Sequence, residues 1–246
     1  MSSRSTTSPA RRYLRIALIA LAIAIVLANA WNQSLEAHES APPGSALAEL
    51  ETLDVRDAEP RTGYSREGFG RAWADVDDNG CDTRNDILAR DLSEVTYTER
   101  DETCTISTGV FVDPYTGQEI EFQRGKTTSA AVQIDHVVPL LDAWRKGARS
   151  WDENTMALFA NDPLNLLASD GSANQSKGAR DASEWLPPDE TFHCTYVARQ
   201  IAVKSVYALA VTPAERDAMR TVLDACPSEP LPSAASTATA DAVDPW

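Results

Sequence analysis

The chain has few basic side chains for its size. Lysine and arginine together number 22 against 37 aspartates and glutamates, so the formal net charge is -15 at pH 7. A protein that grips nucleic acid through a broad basic face needs the opposite sign, because such binding neutralises backbone phosphates with Lys and Arg. Any contact with a polyanion must therefore depend on a local cationic cluster, on a bound metal ion, or on both.

Other common signatures are missing as well. The sequence contains no CxxC pair, no zinc-finger spacing and no internal repeat, which argues against a structural zinc site. The acidic run at 75–79 lacks the closing glutamate of an EF-hand, so we interpret it as a turn. Wholesale disorder is also excluded, because 43% of the residues are hydrophobic and 24% are charged.

The N-terminus has the pattern of a targeting segment. Four arginines come before an apolar run at 16–31; they are Arg4, Arg11, Arg12 and Arg15. A basic stretch followed by an apolar one is typical of a signal peptide, and Ala28-Asn29-Ala30 resembles a cleavage site. The run is also near the shortest length that spans a bilayer. We predict either a cleaved signal or a retained anchor over 1–31, with the bulk of the chain outside the cytoplasm.

Four cysteines fit an exported chain. All of them lie beyond the leader, and their even number predicts two structural disulfides. Three pairings are possible. We favour Cys81–Cys104 together with Cys194–Cys226, because each of these bridges closes a short local loop.

The rest of the chain divides by composition. Residues 32–60 are rich in Ala, Glu, Ser and Pro, and predict a flexible linker. Residues 61–226 contain the large apolar side chains and predict one folded domain. Residues 227–246 are dominated by Pro, Ser, Ala and Thr, and predict a disordered tail.

Within the folded part, the pattern predicts short strands that are followed by helices around the key polar residues, inside a mainly helical shell. This combination is typical of the α+β class. A hairpin is predicted at 108–111 and 120–122, with its turn at 113–117. Further extended pieces are predicted at 131–134 and 164–167. Helices are predicted at 84–92, 139–146, 151–160, 172–181 and 213–223, with another long element at 191–207.

The most informative residues are Asp135 and His136, followed by Asn165, Asn174 and Lys177. Hydrolysis of a phosphodiester requires an activated water and neutralisation of charge on the phosphate. A hydrated divalent ion held by one or two oxygen ligands supplies the second requirement. A histidine that does not bind the ion supplies the first, since its pKa lies near working pH.

Each of these residues has a predicted role. Asp135 and Asn174 are candidate metal ligands, and His136 is the candidate general base. Asn165 is expected to hydrogen-bond the backbone around His136 and fix the imidazole. Lys177 lies three residues after Asn174 on one helix face, and it is a candidate for binding phosphate or stabilising the transition state.

Two further groups have competing interpretations. Arg84 lies between an acidic turn and an apolar helix, so it either contacts phosphate or pairs with a neighbouring aspartate. The tryptophans at 73, 144, 151 and 185 are predicted to pack in the core or at its rim rather than to stack on bases.

The pattern Asp135-His136-x-x-Pro139, then Asn165, then Asn174 and Lys177, resembles the HNH nuclease motif in the variant with a final Asn. The flanking stretches 80–85, 113–117, 159–162 and 185–188 are similar to those of secreted actinobacterial HNH nucleases, which are related to the C-terminal domain of GmrSD-type restriction enzymes. The likeness covers about 62–226.

This resemblance implies a ββα-metal core and dependence on one divalent ion, Mg2+ or Mn2+. It also implies that the roles just given to Asp135, His136, Asn165 and Asn174 apply. The separation between Asp135 and Asn165 is long for a minimal ββα unit, so an inserted helical segment is expected over 139–160.

The predicted function is a metal-dependent endonuclease that acts on DNA, with RNA as a second candidate substrate. Contact with a membrane is expected only through an uncleaved N-terminal segment. One alternative is a metallohydrolase of small phosphoesters that uses the same residues. The other is an extracellular, disulfide-stapled binding module whose Asp/Asn cluster holds a structural ion.

Overall fold

The structure is a computed structural model that describes residues 18–19, 21–25 and 41–232. The chain divides into two compact units, Met1–Ser40 and Ala41–Trp246. In the first unit the described residues are helical, and the rest of the predicted signal or anchor lies outside the described residues. Among the helices that the structure describes, none combines the length and apolar character needed to cross a membrane.

Helices and short strands alternate along residues 41–232. The helices are α1 (Ala46–Leu50), α2 (Thr83–Asp91), α3 (Leu140–Lys146), α4 (Glu153–Asn161), α5 (Gly171–Lys177), α6 (His193–Val206) and α7 (Pro213–Leu223). The strands are β1 (Ser93–Thr98), β2 (Asp101–Val112), β3 (Glu119–Gln123), β4 (Val132–His136) and β5 (Leu166–Asp170). The mixture of helices with small sheets confirms the α+β prediction.

Strands β4 and β5 and helix α5 form a ββα unit. The two strands are antiparallel, and His136 lies opposite Leu166. Helix α5 follows β5 directly because the Asp170 side chain accepts hydrogen bonds from the first free amides of the helix. It ends at Gly178, whose φ of 58° stops the helix before residue 181, the predicted end. Along the sequence, helices α3 and α4 come between β4 and β5, as the predicted insertion requires.

A second sheet has the order β1-β2-β3, with both pairs antiparallel. The β2–β3 pair is the predicted hairpin. Strand β1 was not predicted; its register against β2 shifts at three places, so its sequence lacks a clean alternation of buried and exposed side chains. Helix α2 covers this sheet, and its Ile87 and Leu88 join a core cluster with Ile106, Phe122 and Leu166.

Helices α6 and α7 pack against each other around another core cluster. Tyr196, Val197 and Ile201 of α6 are buried in a cluster that also contains Met219 of α7. Helix α7 starts with a capping box: the Thr212 side chain accepts from the amide of its third residue, whose carboxylate accepts from Thr212 in return.

The ends of the domain extend beyond the predicted limits of 61–226. Residues 41–60 were expected to belong to an exposed linker, but Leu47 and Leu50 of α1 are buried in the cluster with α6 and α7. The periodic apolar residues of α1 explain this packing. At the other end, Ser45 forms a β-bridge with Pro230 in the predicted tail, while residues 233–246 lie outside the described part.

Both favoured disulfides are present. Cys81, just before α2, is bonded to Cys104 of β2. Cys194 of α6 is bonded to Cys226, beyond the end of α7. The bridges close loops with sequence separations of 23 and 32 residues, so each one ties together elements that are near neighbours along the chain.

Five buried charged side chains form what we call the buried network: Asp142, Lys146, Asp181, Lys204 and Glu215. The Lys146 Nζ lies 2.6 Å from an Asp142 oxygen and 2.7 Å from oxygens of both Asp181 and Glu215. The Lys204 Nζ lies 3.1 Å from Asp142 and 2.9 Å from Glu215. Burial raises the pKa of the Glu215 carboxyl. The network ties the inserted helix α3 to α6 and α7.

Candidate active site

Asp135, His136 and Asn174 line one cavity of about 230 Å³ beside the ββα unit. Asp135 and His136 are the last two residues of β4, and Asn174 lies in the middle of α5. Arg66 and Tyr64, from the segment upstream of α2, complete the polar part of the wall. The structure therefore brings together the predicted base and both predicted metal ligands, and it adds a cation that was not predicted.

The Asp135 carboxylate is held from two sides. The Tyr115 hydroxyl donates to Oδ2 at 2.6 Å, and the Lys177 Nζ donates to Oδ1 at 3.0 Å. We call Asp135 and Lys177 the site pair. Burial, followed by the charge of Asp135, raises the pKa of Tyr115 well above its ordinary value, so the hydroxyl keeps its proton and remains a donor. These two contacts set the orientation of the carboxylate.

His136 is presented as a neutral base. Its Nε2 lies 2.9 Å from the Ala160 carbonyl oxygen. Because a carbonyl oxygen only accepts, we assign the ring proton to Nε2 and leave Nδ1 as the basic nitrogen. Burial lowers the pKa of His136 to about 4, so the ring is uncharged at neutral pH. This value lies below the working pH that the sequence led us to expect, and it makes the imidazole a weaker base than a free histidine.

Asn165 fixes the two chain segments that hold His136. Its Oδ1 accepts from the Val138 amide at 2.8 Å, and its Nδ2 donates to the Val138 carbonyl at 3.3 Å and to the Phe159 carbonyl at 3.4 Å. Val138 lies two residues after His136, and Phe159 precedes Ala160, to which His136 is bonded. The fully buried amide thus has the contacts expected of a residue that orients the imidazole.

The segment that carries Asn165 is itself fastened by two arginines. Arg90 of α2 and Arg199 of α6 both donate to the carbonyl oxygens of Pro163 and Leu166, at 2.8 Å in each case. Burial lowers the pKa of Arg199 to about 10, which still leaves it charged at neutral pH. These contacts hold the turn into β5 against α2 and α6.

Asn174 presents its amide oxygen because its nitrogen is occupied. Nδ2 donates to the Gln133 Oε1 at 2.9 Å. The position of α5 depends on Gly171: a Cβ at this residue would lie 2.2 Å from the Ala130 carbonyl oxygen. A glycine is therefore required where the start of α5 packs against the turn that leads into β4.

The donor set is compatible with one hard divalent ion. Among the described side chains, Oδ1 of Asp135 accepts from Lys177 alone and so keeps a lone pair, and Asn174 adds an amide oxygen in the same cavity. Within the described residues, no group of three or more His, Cys, Asp or Glu side chains could hold a metal ion. Two protein oxygens with water in the remaining positions match the habits of Mg2+, which keeps much of its hydration shell.

Two predicted contacts with substrate do not fit the structure. Lys177 is fully buried, and its ammonium is used by Asp135 and by the His136 carbonyl at 2.8 Å. It therefore cannot reach a phosphate in this arrangement, and its contact within the site is with Asp135. Arg84 donates to the Val132 carbonyl at 3.1 Å and is not among the residues that line the cavity. Within the described residues it forms no salt bridge with Asp82 or Asp86 either, so its contact is with backbone and differs from both alternatives.

Several residues of the site were missed in the sequence. Tyr115 lies in the Asp113–Gly117 turn, which was predicted as the turn of a hairpin and noted for its resemblance to related nucleases, without a role for Tyr115. Gln133 comes two residues before Asp135 on the same strand, so the alternation of side chains along a strand could have identified it. Arg66 belongs to a region without a recognisable motif, and only tertiary contacts bring it to His136.

A family model and a relative match this chain. The family model described as GmrSD restriction endonucleases, C-terminal domain, matches residues 82–222. An "Uncharacterized secreted protein" of Arthroderma benhamiae is 38% identical over 188 residues, which cover 75% of this chain and 87% of the relative. No solved structure matches the chain.

Proposed function

The chain belongs to the family of GmrSD restriction endonuclease C-terminal domains, and from this premise we propose that it is a metal-dependent endonuclease of the HNH type. Its proposed substrate is DNA, with RNA as the second candidate. The observation that carries the proposal is the cavity in which neutral His136 lies with the oxygen donors of Asp135 and Asn174.

In the proposed reaction, Nδ1 of His136 accepts a proton from water as the water oxygen bonds to phosphorus and the ester bond to the leaving oxygen breaks. The Nε2 contact with Ala160 stabilises the imidazolium that results. Asp135 and Asn174 would hold a divalent ion, which when bound would neutralise charge on the phosphate and the leaving oxygen. Lys177 and Tyr115 orient Asp135, and Asn165 positions the backbone around His136.

The site pair also limits how strongly an ion is held. The Lys177 ammonium already offsets the single negative charge of Asp135 at 3.0 Å. We infer that affinity for the ion depends partly on substrate phosphate, which is a common arrangement for Mg2+. The ion would then be held most tightly when nucleic acid is bound.

We propose that the enzyme works outside the cytoplasm. Two disulfides favour an oxidising compartment, and the relative from A. benhamiae carries "secreted" in its name. An uncleaved N-terminal segment would attach the protein to a membrane; cleavage would release it.

The test is cleavage of supercoiled plasmid by the purified, disulfide-bonded protein with Mg2+, with Mn2+ or with a chelator. We expect nicking that requires the metal and is lost in His136→Ala and Asn174→Ala. His193→Ala and Asn154→Ala remove the same side chains away from the cavity and should cleave normally. Circular dichroism verifies folding of each variant.

A folded protein that cleaves neither DNA nor RNA with either metal contradicts the proposal. If it hydrolyses small phosphodiesters only, the metallohydrolase alternative replaces it. If metal raises the melting temperature without any hydrolysis, the binding module with a structural ion replaces it.

A further inference from the structure

A second cavity, of about 280 Å³, shares the wall formed by His136. It is lined mainly by the segment upstream of the region matched by the family model. Its wall includes Arg66, Arg71, Trp73, Phe69, Leu140 and Ala160. Arg66, His136 and Leu140 line both cavities, so an occupant of the second cavity would lie next to the proposed reaction centre.

Two arginines supply positive charge at this cavity. The side chains of Arg66 and Arg71 are exposed, and neither forms a salt bridge with any residue in the described part of the chain. The acidic side chain of the wall is Glu67, whose carboxylate accepts from the Ser65 hydroxyl at 2.8 Å. In a chain with a net charge of -15, unpaired arginines beside the site form the local cationic cluster that binding of a polyanion requires.

Trp73 provides an aromatic wall in a constrained conformation. Its ring lies within 19° of parallel to the His136 imidazole, with 6.4 Å between the centroids. Its φ of 57° is left-handed, a region that residues other than glycine rarely adopt. The fully buried Asn161 holds this turn: its Oδ1 accepts from the Ala74 amide at 3.0 Å, and its Nδ2 donates to the Arg71 carbonyl at 3.4 Å.

This arrangement is more than core packing. Trp73 packs partly against the cluster under α2, as the sequence predicted, but it also lines the cavity beside two exposed cations. A strained backbone that is over-determined by a buried amide is typical of functional sites. Stacking surfaces combined with a cationic track are the features by which proteins bind single-stranded nucleic acid.

We propose that this cavity is a subsite for one unpaired nucleotide next to the scissile phosphate, with Trp73 stacking on the base and Arg66 and Arg71 binding flanking phosphates. The proposal rests on the proposed nuclease function and adds a preference for single strands. A base within a duplex is stacked on its neighbours and is not free to meet Trp73.

Binding and cleavage are measured separately. Binding is followed by fluorescence anisotropy in the presence of a chelator, with a short labelled single strand and with the same sequence as a duplex. Cleavage of both substrates is then measured with Mg2+ or Mn2+. The variants are Trp73→Leu, Trp73→Phe and the double variant Arg66→Gln/Arg71→Gln. Arg100→Gln, which removes an exposed arginine elsewhere, is the matched control.

We expect Trp73→Leu to weaken single-strand binding about tenfold and to leave duplex binding within about twofold. Trp73→Phe keeps an aromatic face and should retain most of the affinity, which separates stacking from a folding defect. The double arginine variant should lower the salt dependence of single-strand binding by about 0.7 in the log–log slope for each arginine. Arg100→Gln should behave as the unmodified protein does.

The subsite is overturned if Trp73→Leu and the double variant bind single strands as tightly as the unmodified protein does. If the unmodified protein still cleaves in that case, the nuclease function stands. Equal losses for single strand and duplex in Trp73→Leu also overturn it. If the protein binds single strands through Trp73 but cleaves nothing with either metal, the nuclease function fails and the binding subsite stands.

Discussion

The site pair and the buried network use the same chemistry for different ends. Both bury lysines against carboxylates at 2.6–3.1 Å. In the network, two ammonium groups serve three carboxylates, and Lys204 and Glu215 have no exposed side-chain surface. In the site pair, Lys177 orients the Asp135 carboxylate with help from the neighbouring Tyr115, and the carboxylate still lines an open cavity.

This comparison shows that burial of a charged pair does not by itself indicate function. Buried ion pairs often contribute little net stability, yet removing one partner is costly because the other charge is left uncompensated. What distinguishes Asp135 is its position beside His136 and Asn174, with a lone pair left for a ligand. The contrast can be tested by removing matched lysines.

The largest effect is expected from Lys204→Met. This change leaves Asp142 and Glu215 short of positive charge, and we expect the free energy of unfolding to fall by about 3–5 kcal/mol in urea titrations. Cleavage per folded molecule should be unchanged. Lys177→Met should also lose stability, but in addition it should lose most of its activity, because Asp135 is released. Equal activities of the two variants, at equal folded fractions, would remove the distinction between the clusters.

A smaller effect is expected from pH. Burial lowers the pKa of His136 to about 4, so the base is neutral above that value and becomes protonated as the pH falls through it. We expect kcat/KM to be flat from neutral pH down to about 5 and to fall about tenfold per unit below about 4. Circular dichroism at each pH separates this loss from unfolding. A midpoint near the ordinary histidine value of about 6.5 would contradict the proposed environment of the ring.

The smallest effect concerns the second partner of Asp135. Tyr115→Phe removes one hydrogen bond of 2.6 Å, and we expect a loss of about 1 kcal/mol in stability with reduced cleavage. The control is Tyr196→Phe, which removes a hydroxyl that accepts from Gln200 at 3.0 Å. It should cost similar stability and leave cleavage unchanged. Loss of activity in the control alone would reverse the roles assigned to the two tyrosines.

The parts of the site that follow local rules could be predicted from the sequence. Asp135 and His136 end a β-prone run, and Asn174 lies on a short helix that Asp170 caps and Gly178 ends. The position of Lys177 was predicted as well, but not its burial, because three-residue spacing gives the helix face and not what covers it. Arg66, Trp73 and Asn161 were missed as parts of the site because contacts distant in sequence bring them there.

The same distinction applies to the fold. Two disulfides followed from the spacing of the cysteines and the hairpin from its turn residues, while the helical insertion followed from the family resemblance. Strand β1 did not, because shifts in its register obscure the alternation. The packing of α1 was also missed, since a short helix in an Ala- and Glu-rich stretch has the composition of a linker, and only its contacts with α6 and α7 reveal it.

The turn at Asp113–Gly117 has a consequence for protein engineering. Tyr115 in this turn contacts Asp135. In addition, the Asp113 carboxylate accepts a hydrogen bond from the Asp170 amide at 3.0 Å, at the junction of β5 and α5. Transplanting only β4, β5 and α5 into another scaffold would carry the recognisable motif but would lose both of these contacts. The smallest portable cassette therefore includes the upstream hairpin as well as the ββα unit.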